Sequence, residues 1–556
     1  MLYRHFAYRA AEEVIKKFPN KDVYIVEAGA TPSGKIHLGN FNDVIISDAV
    51  LKALKDLGYS SDGFLVIDSR DPFRQPPIFA PKEFIRESES YVGRPFIEIP
   101  DPWGCHENYA EHFVDPVQKN MEKYGVEIGI KWAQEIHSNI VFIKLLLRLI
   151  DNRDKVIKIY NDVRRRAGHT NLYPRNWIPF RPQCSKCGRI DESVEIIGLV
   201  DKYRVKYRCK SCGNMDIANI ERMEGKPPWR IDWPLRWVAL NIAFEPLGKD
   251  HMASGSGYEM GCNLLRKFFE REPPVPVFYD FVYWVERGDE KRVLKFSKRR
   301  GIGLGVDEWL KYAPPEVLRF YILRRDVSDI YSEALSHWDF DITQIPQYVQ
   351  SFDKFEETYF NIVERAIDQI KNQVIVDTYL LSVIRKPKKR IRRISYWQLA
   401  RIAVWMIDID DGMRMLRRQG KLKDLSEEEL IDVRNRLNMA LNWTKIVGLK
   451  AVLPSIDKLK EIFKQISGEE KLIFKTFLEA VVSGRLSENN VQEYMLKFAE
   501  TMGYKTRKER LKIYQTIYKI LLGEESGPPL RRMLSEKEFK EYLEIIYTKL
   551  IDSSLL

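Results

Sequence analysis

Three groups of residues carry chemistry in their types and spacing. Pro32, Gly34, His37, Gly39 and Asn40 complete the pattern Pro-x-Gly-x-x-His-x-Gly-Asn directly after the apolar run Val23-Tyr24-Ile25-Val26. Glycines let a backbone come close to a ligand, and a helix starting beyond such a turn offers free N–H groups and a positive dipole end. That combination is a place for anionic phosphate. Far along the chain, Lys295-Phe296-Ser297-Lys298-Arg299-Arg300-Gly301 forms a cationic, glycine-bearing loop. Such loops can close ammonium groups over a triphosphate, although a charge run is often simply a solvated surface. The third group is Cys184-x-x-Cys187 with Cys209-x-x-Cys212, each pair followed by glycine. Four thiolates on two tight turns close a tetrahedral site with no open position, so a structural zinc is expected. Cys105 and Cys262 are left over and read as plain buried thiols.

These residues need elements to hold them. The run from Val23 reads as a buried strand, broken at Gly29, Pro32 and Gly34. From His37 onward, Leu38, Phe41, Ile45 and Ala49 recur at steps of three and four, with Ile46, Val50, Leu54 and Leu57 beside them. Two adjoining stripes predict a helix packed over a wide face, as on a parallel sheet. A second strand over 63–68 completes a βαβ unit, and Asp68-Ser69-Arg70-Asp71 follows at its carboxyl end, where open α/β sheets bind ligands. Gly29-x4-Gly34-Lys35 also approaches a Walker A loop, with Asp68 as its distant carboxylate. Ile36, however, stands where that loop needs a metal-binding hydroxyl.

Segment 95–226 loses clean strand–helix alternation; 110–124 and 140–150 read as helices. Arg164, Arg165, Arg166, Tyr173, Arg175, Trp177 and Arg181 read as an RNA-facing surface or a solvated helix face. Trp229 and Trp233 flank Asp232, and two ring faces beside a carboxylate could hold a cation. Next, 258–269 reads as a helix and 278–285 as one short aromatic strand. Beyond about 335 the pattern is helical, with seven basic residues in 385–393 and capping boxes at Ser426…Glu429 and Ser535…Glu538.

Composition permits several domains with full cores: 556 residues, of which 44% are hydrophobic. Lys+Arg exceed Asp+Glu by 90 − 79 = 11, which is permissive of a polyanionic partner. No run of 18 apolar residues exists and the N-terminus lacks a signal-peptide core, so no membrane span and a cytoplasmic location are expected. Six cysteines in so long a chain do not make a disulfide framework.

The order of Pro32–Asn40, Gly248-Lys249-Asp250-His251 and Lys295–Gly301 resembles the class I aminoacyl-tRNA synthetases and their "HIGH" and "KMSKS" signatures. Phe296 keeps the apolar packing of the second signature's methionine, while Arg299 loses a hydroxyl. More closely, Glu27-Ala28-Gly29-Ala30-Thr31-Pro32-Ser33-Gly34, the turn 100–105, the cysteine ribbon, Trp229-Arg230-Ile231-Asp232-Trp233-Pro234, Phe244-Glu245-Pro246-Leu247 and Gly527-Pro528-Pro529-Leu530 resemble the class I lysyl-tRNA synthetases of archaea and some bacteria.

That resemblance implies an α/β fold: a Rossmann-like parallel sheet split by a zinc-ribbon insertion and followed by an all-α domain. The expected boundaries are 1–94 and 226–335 for the two halves of the catalytic domain, 95–225 for the insertion and 336–556 for an anticodon-binding domain. It implies ATP, entering with Mg²⁺, L-lysine and tRNA(Lys) as partners. It assigns His37, Asn40, Lys295 and Lys298 to catalysis, and ATP to these with Pro32, Gly34, Gly39, Asp250 and Ser297. The amino acid falls to Gly29, Thr31, Trp229 and His251, with Asp71 in a loop that is more strongly acidic in the family. Three other readings compete: a glutamyl-like synthetase, a P-loop ATPase, and a non-catalytic zinc-ribbon RNA-binding protein.

Overall fold

The computed structural model describes residues 4–287, 291–365, 371–387, 389–449 and 454–553. Its centre is a six-stranded sheet in the spatial order Ala334–Leu335, Val275–Tyr279, Ile242–Gly248, Tyr24–Ala30, Ser61–Ile67, Gly129–Trp132. Every pairing is parallel. Numbered along the chain, that order is the doubly wound 3-2-1-4-5-6 arrangement, in which the chain reverses its direction of travel between Tyr24–Ala30 and Ile242–Gly248. Crevices at that switch point, at the carboxyl ends of the strands, are where such sheets bind ligands. Strands covered on both faces read as nearly unbroken apolar runs, as Val275–Tyr279 does with all five residues buried.

The helix Leu38–Asp56 follows the first strand and buries both predicted stripes except Leu57, which caps its end and is half-buried. Its Ser47 hydroxyl donates to the Glu27 carbonyl at 2.7 Å, which ties helix to strand. At its centre Asp48 meets Arg319 at 2.7 Å with both side chains fully buried, and Arg319 also donates to the carbonyls of Tyr124 and Leu381. A charge so deeply buried persists only when paired and fully hydrogen-bonded.

The third strand, Gly129–Trp132, lies inside the segment whose alternation the sequence pattern had lost. The run 278–285 is two strands in two sheets. Val275–Tyr279 ends in the parallel sheet, and Val282–Arg287 pairs antiparallel with Lys291–Lys295 to form a hairpin. Asp280 caps the break, its carboxylate accepting from the Phe281 N–H. The cysteine ribbon is a separate antiparallel sheet of Val194–Leu199, Arg204–Cys209 and Met215–Asn219, closed at its base by Arg181–Pro182 pairing with Gly225–Lys226. The expected helix over 258–269 is α-helical only to Leu264 and continues as a wider π turn, Leu265–Phe269.

The chain divides into two compact units: 1–310 with 315–341 and 354–388, and 311–314 with 342–353 and 389–556. In the second unit, Arg436 holds Asp353 through two hydrogen bonds of 2.8 and 2.9 Å. The capping box at Ser426…Glu429 forms as expected. The one at Ser535…Glu538 does not, because the Ser535 hydroxyl donates back to Arg532 and the helix starts two residues later, at Lys537. Lys388, within the basic run 385–393, lies outside the described residues.

Candidate active site

At the switch point the first unit holds a cavity of about 800 Å³. Gly29 and Thr31 reach it from the end of the first strand, and His37, Gly39 and Asn40 from the start of the following helix. Asp250 and His251 come from the turn after Ile242–Gly248, Trp229 from the helix Trp229–Ala239, and Asp71 from the loop after Ser61–Ile67. Lys295, Ser297 and Lys298 close it from the hairpin loop. Of the residues the sequence singled out for ATP and amino acid, only Pro32 and Gly34 stand off the wall; both are buried and shape the turn.

Gly34 is where turn and loop touch. A Cβ added there would lie 2.8 Å from the Lys298 carbonyl oxygen, so only glycine lets the two backbones meet. Lys298 is half-buried and its Nζ donates to the Thr31 carbonyl at 2.6 Å. Phe296 anchors the loop with its ring edge-on to His37, the centroids 5.2 Å apart, and packs against Trp284 and Phe340. Beyond it Ser297 and Ile302 pair backbone to backbone, and the Ile78 N–H donates to the Arg299 carbonyl. The lysines are thus presented from a folded turn.

Electrostatics at this end suit an anion. Burial, reinforced by Lys298, Lys35 and Lys295, pushes His37 down to about 3, so its ring is neutral. The buried Nδ1 of His37 and Oδ1 of Asn40 have no hydrogen-bond partner among the described residues. Burial lowers Lys298 to about 8, with Asp68 and Asp43 opposing that shift. Lys295 sits 3.1 Å above the Phe281 ring, and burial lowers it too. Lys35, the lysine a Walker A loop would aim at phosphate, forms an ion pair with Glu308 instead.

The other end is aromatic and acidic. Trp229 and Trp233 stack 4.6 Å apart, with His251 5.8 and 5.0 Å from them. Asp232, the acid expected beside those rings, is turned into the fold: Arg236 holds both its oxygens at 3.0 and 3.1 Å, and His137 lies 3.0 Å away. Burial works against its ionisation, yet Arg236 and His137 keep it well below the usual carboxylate range. Asp71 is likewise engaged, 2.6 Å from the Lys226 ammonium. Sequence reasoning passed over Glu27 and Glu245, two buried carboxyls in the same wall. The available signal was a charged residue inside each otherwise apolar strand.

The four ribbon cysteines bring their sulfurs within 4.8 Å of one another, with Cys184–Cys212 at 3.7 Å and Cys187–Cys209 at 3.6 Å. Zinc–thiolate bonds of about 2.3 Å give a tetrahedron edge near 3.8 Å, so the geometry fits that ion. Gly188 and Gly213 take left-handed φ angles of 74° at the two knuckles. A second group, unread in the sequence, gathers Asp101, Cys105, His106 and His112 within the same limit. Cys105 is exposed rather than a buried thiol; its sulfur lies 3.1 Å from His106 Nδ1 and 3.2 Å from His112 Nδ1. Mixed thiolate, imidazole and carboxylate donors are also zinc's choice. Cys262 is buried, as expected. In the cluster read as an RNA-facing surface or a solvated helix face, Arg165, Arg166 and Arg175 are exposed and Tyr173, Trp177 and Arg181 half-buried, whereas Arg164 is buried and bonds the Asn171 carbonyl at 2.7 Å; Tyr173 packs on Trp177 at 4.4 Å.

Comparison with known proteins places this geometry. The model of the class I (K) tRNA synthetases matches residues 4–379. A lysine–tRNA ligase of Methanocaldococcus jannaschii is 32% identical over 96% of this chain and 97% of its own. Those of Methanococcus maripaludis and Pyrococcus horikoshii are each 30% identical, again over 96% of this chain, and over 98% and 97% of their own. The chain belongs to the class I (K) tRNA synthetase family.

Proposed function

We propose that this protein attaches L-lysine to tRNA(Lys) through a lysyl-adenylate made from ATP. The lysine carboxylate attacks the α-phosphate, pyrophosphate leaves, and the terminal ribose hydroxyl of the tRNA then takes the acyl group. Attack in line at phosphorus asks the protein for positioning and charge stabilisation more than for covalent help. The helix N-terminus at His37 and Asn40, with Gly39 leaving room, receives the phosphates of ATP supplied with Mg²⁺. Neutral His37 donates without adding charge. Lys295 and Lys298 balance the charge that grows on departing pyrophosphate, Ser297 shapes their turn, and Asp250 accepts from the ribose.

One observation carries the reading. The signature turn and the lysine loop meet at Gly34 and Lys298 over a single cavity at the sheet's switch point. A P-loop reading loses its lysine to Glu308. A glutamyl-like substrate would add a carboxyl to a wall that already holds Glu27, Asp68 and Glu245 and would bring no cation to it.

Zinc in the ribbon is read as structural. The second unit, built of helices, is read as the part that grips the anticodon arm. No described helix is long and apolar enough to cross a membrane, which accords with a cytoplasmic enzyme of translation. Lysine-dependent exchange of pyrophosphate into ATP, followed by charging of tRNA(Lys) and not of other tRNAs, tests the whole proposal.

A further inference from the structure

We infer that Glu27 receives the ε-ammonium of the bound lysine and thereby sets amino-acid selectivity in this chain. This rests on the cavity being the lysine-activating site.

Five carboxyls, Glu27, Asp68, Asp71, Asp232 and Glu245, gather in or directly behind the aromatic end of the cavity, and Lys226 and Arg236 are the cations paired among them. Four of the five are already served. Asp71 has Lys226 at 2.6 Å and Asp68 has Arg236 at 2.7 Å. Asp232 has Arg236 and His137. Glu245 accepts from the indole N–H groups of Trp233 at 2.9 Å and Trp237 at 2.5 Å. Glu27 is 1% exposed, lines the cavity, and its Oε2 has no hydrogen-bond partner among the described residues.

An unpartnered buried carboxyl is costly, and the wall is short of positive charge. A substrate ammonium supplies both missing parts at once. Two further carboxyl oxygens lining the cavity have no hydrogen-bond partner among the described residues: Oδ1 of Asp68, which is held by the ion pair with Arg236, and Oδ1 of Asp43, which belongs to the nucleotide end, where Asp43 bonds Tyr279 and faces Lys298 and Asp250. Glu27 instead faces Arg236 and Asp232 of the helix Trp229–Ala239, Asp68 beyond the neighbouring strand, and Glu245 on the strand beside it. The stacked Trp229 and Trp233 give the methylene chain an apolar side to lie against.

Burial pushes the Glu27 carboxyl up to about 8; Arg236 opposes the shift, while Asp68 and Asp232 add to it. At neutral pH the free protein therefore keeps a proton there. The arriving ammonium makes the ionised form the better one, so that proton passes to solvent as the ion pair forms.

Glu27→Gln keeps the shape and removes the charge. In pyrophosphate exchange its lysine KM is expected to rise roughly 100-fold, as for one partner lost from a buried charge pair, with ATP KM within about twofold. Glu27→Asp should fall between Gln and the native protein. Calorimetry of lysine binding in buffers of different ionisation enthalpy should show release of about one proton at pH 7 from the native protein and none from Glu27→Gln. Lysine KM within threefold of native in both variants, or equal proton release from the native protein and Glu27→Gln, overturns the assignment. Should the native protein activate an amino acid other than lysine, it is the functional reading that fails. Should it activate lysine while the Glu27 variants behave as native, only the present inference fails.

Discussion

Lys298 Nζ donates to the carbonyl of Thr31 at 2.6 Å, although 267 positions separate the two residues. The contact joins the end of the first strand to a loop that the chain reaches only after the insertion and two further strands of the sheet. It gives the cation a fixed place beside the phosphate turn before any ligand arrives, which is the condition for electrostatic stabilisation without reorganisation.

Removing that cation is therefore expected to hurt chemistry more than binding. Lys298→Ala should raise the barrier to adenylate formation by about 2–4 kcal/mol, the range for loss of one preorganised contact. Lysine KM should change little. Exchange at the native rate would remove Lys298 from the mechanism.

The Gly34 contact predicts a steric effect of comparable kind. A Cβ there meets the Lys298 backbone at 2.8 Å, so Gly34→Ala must push the loop away from the turn. We expect the exchange rate to fall more than about tenfold while circular dichroism and zinc content stay native. Native exchange in Gly34→Ala would show that the close approach does not matter to turnover.

A pH limb follows from burial. Lys298 is lowered to about 8 in the free protein, so it is charged below that pH and loses charge as pH rises through it. Thus kcat/KM for ATP should decline above about pH 8. Lys298→Arg, which does not deprotonate in this range, should abolish the decline even if it is slower. His37, pushed down to about 3, is neutral throughout and should contribute no inflection near neutrality. A limb that persists in Lys298→Arg would assign it to another group.

At the amino-acid end, Trp229→Ala and His251→Ala are expected to raise lysine KM by at least about tenfold with ATP KM nearly unchanged. They line the cavity around the stacked rings, away from the lysine loop's contacts with Thr31 and His37. Unchanged lysine kinetics in both variants would remove these residues from the pocket.

Metal content separates the two ligand groups. Elemental analysis of the purified protein should find about two zinc ions per chain, with Cys184→Ser and His112→Ala each losing one. Retention of full zinc by either variant would take that group out of account.

How much of this was legible in the sequence depended on how local each signal was. The glycine turn, its helix and the gathering of the four ribbon cysteines are short-range patterns, and the structure forms each of them where the sequence reading puts it. Gly129–Trp132 was missed because it is four residues long and none of the four is fully buried, so neither length nor period marks it. The strand pair around Asp280 looked like one run because its break is made by a side chain bonding the next backbone N–H. Glu27 could be seen as odd within its strand, but its meaning lies in Asp68, Asp232, Arg236 and Glu245. These come from distant segments, and their pairing decides which carboxyl is left over. Asp101, Cys105, His106 and His112 have no paired spacing, since a turn and the first turns of a helix bring them together.

The central claim is that the early turn and the late lysine loop act on one nucleotide for the activation of lysine. Pyrophosphate exchange into ATP, measured with each amino acid in turn, with and without tRNA, tests it most directly. The account predicts exchange with lysine and with no other amino acid. Exchange driven by a different amino acid, or ATP hydrolysis indifferent to amino acids, would contradict it.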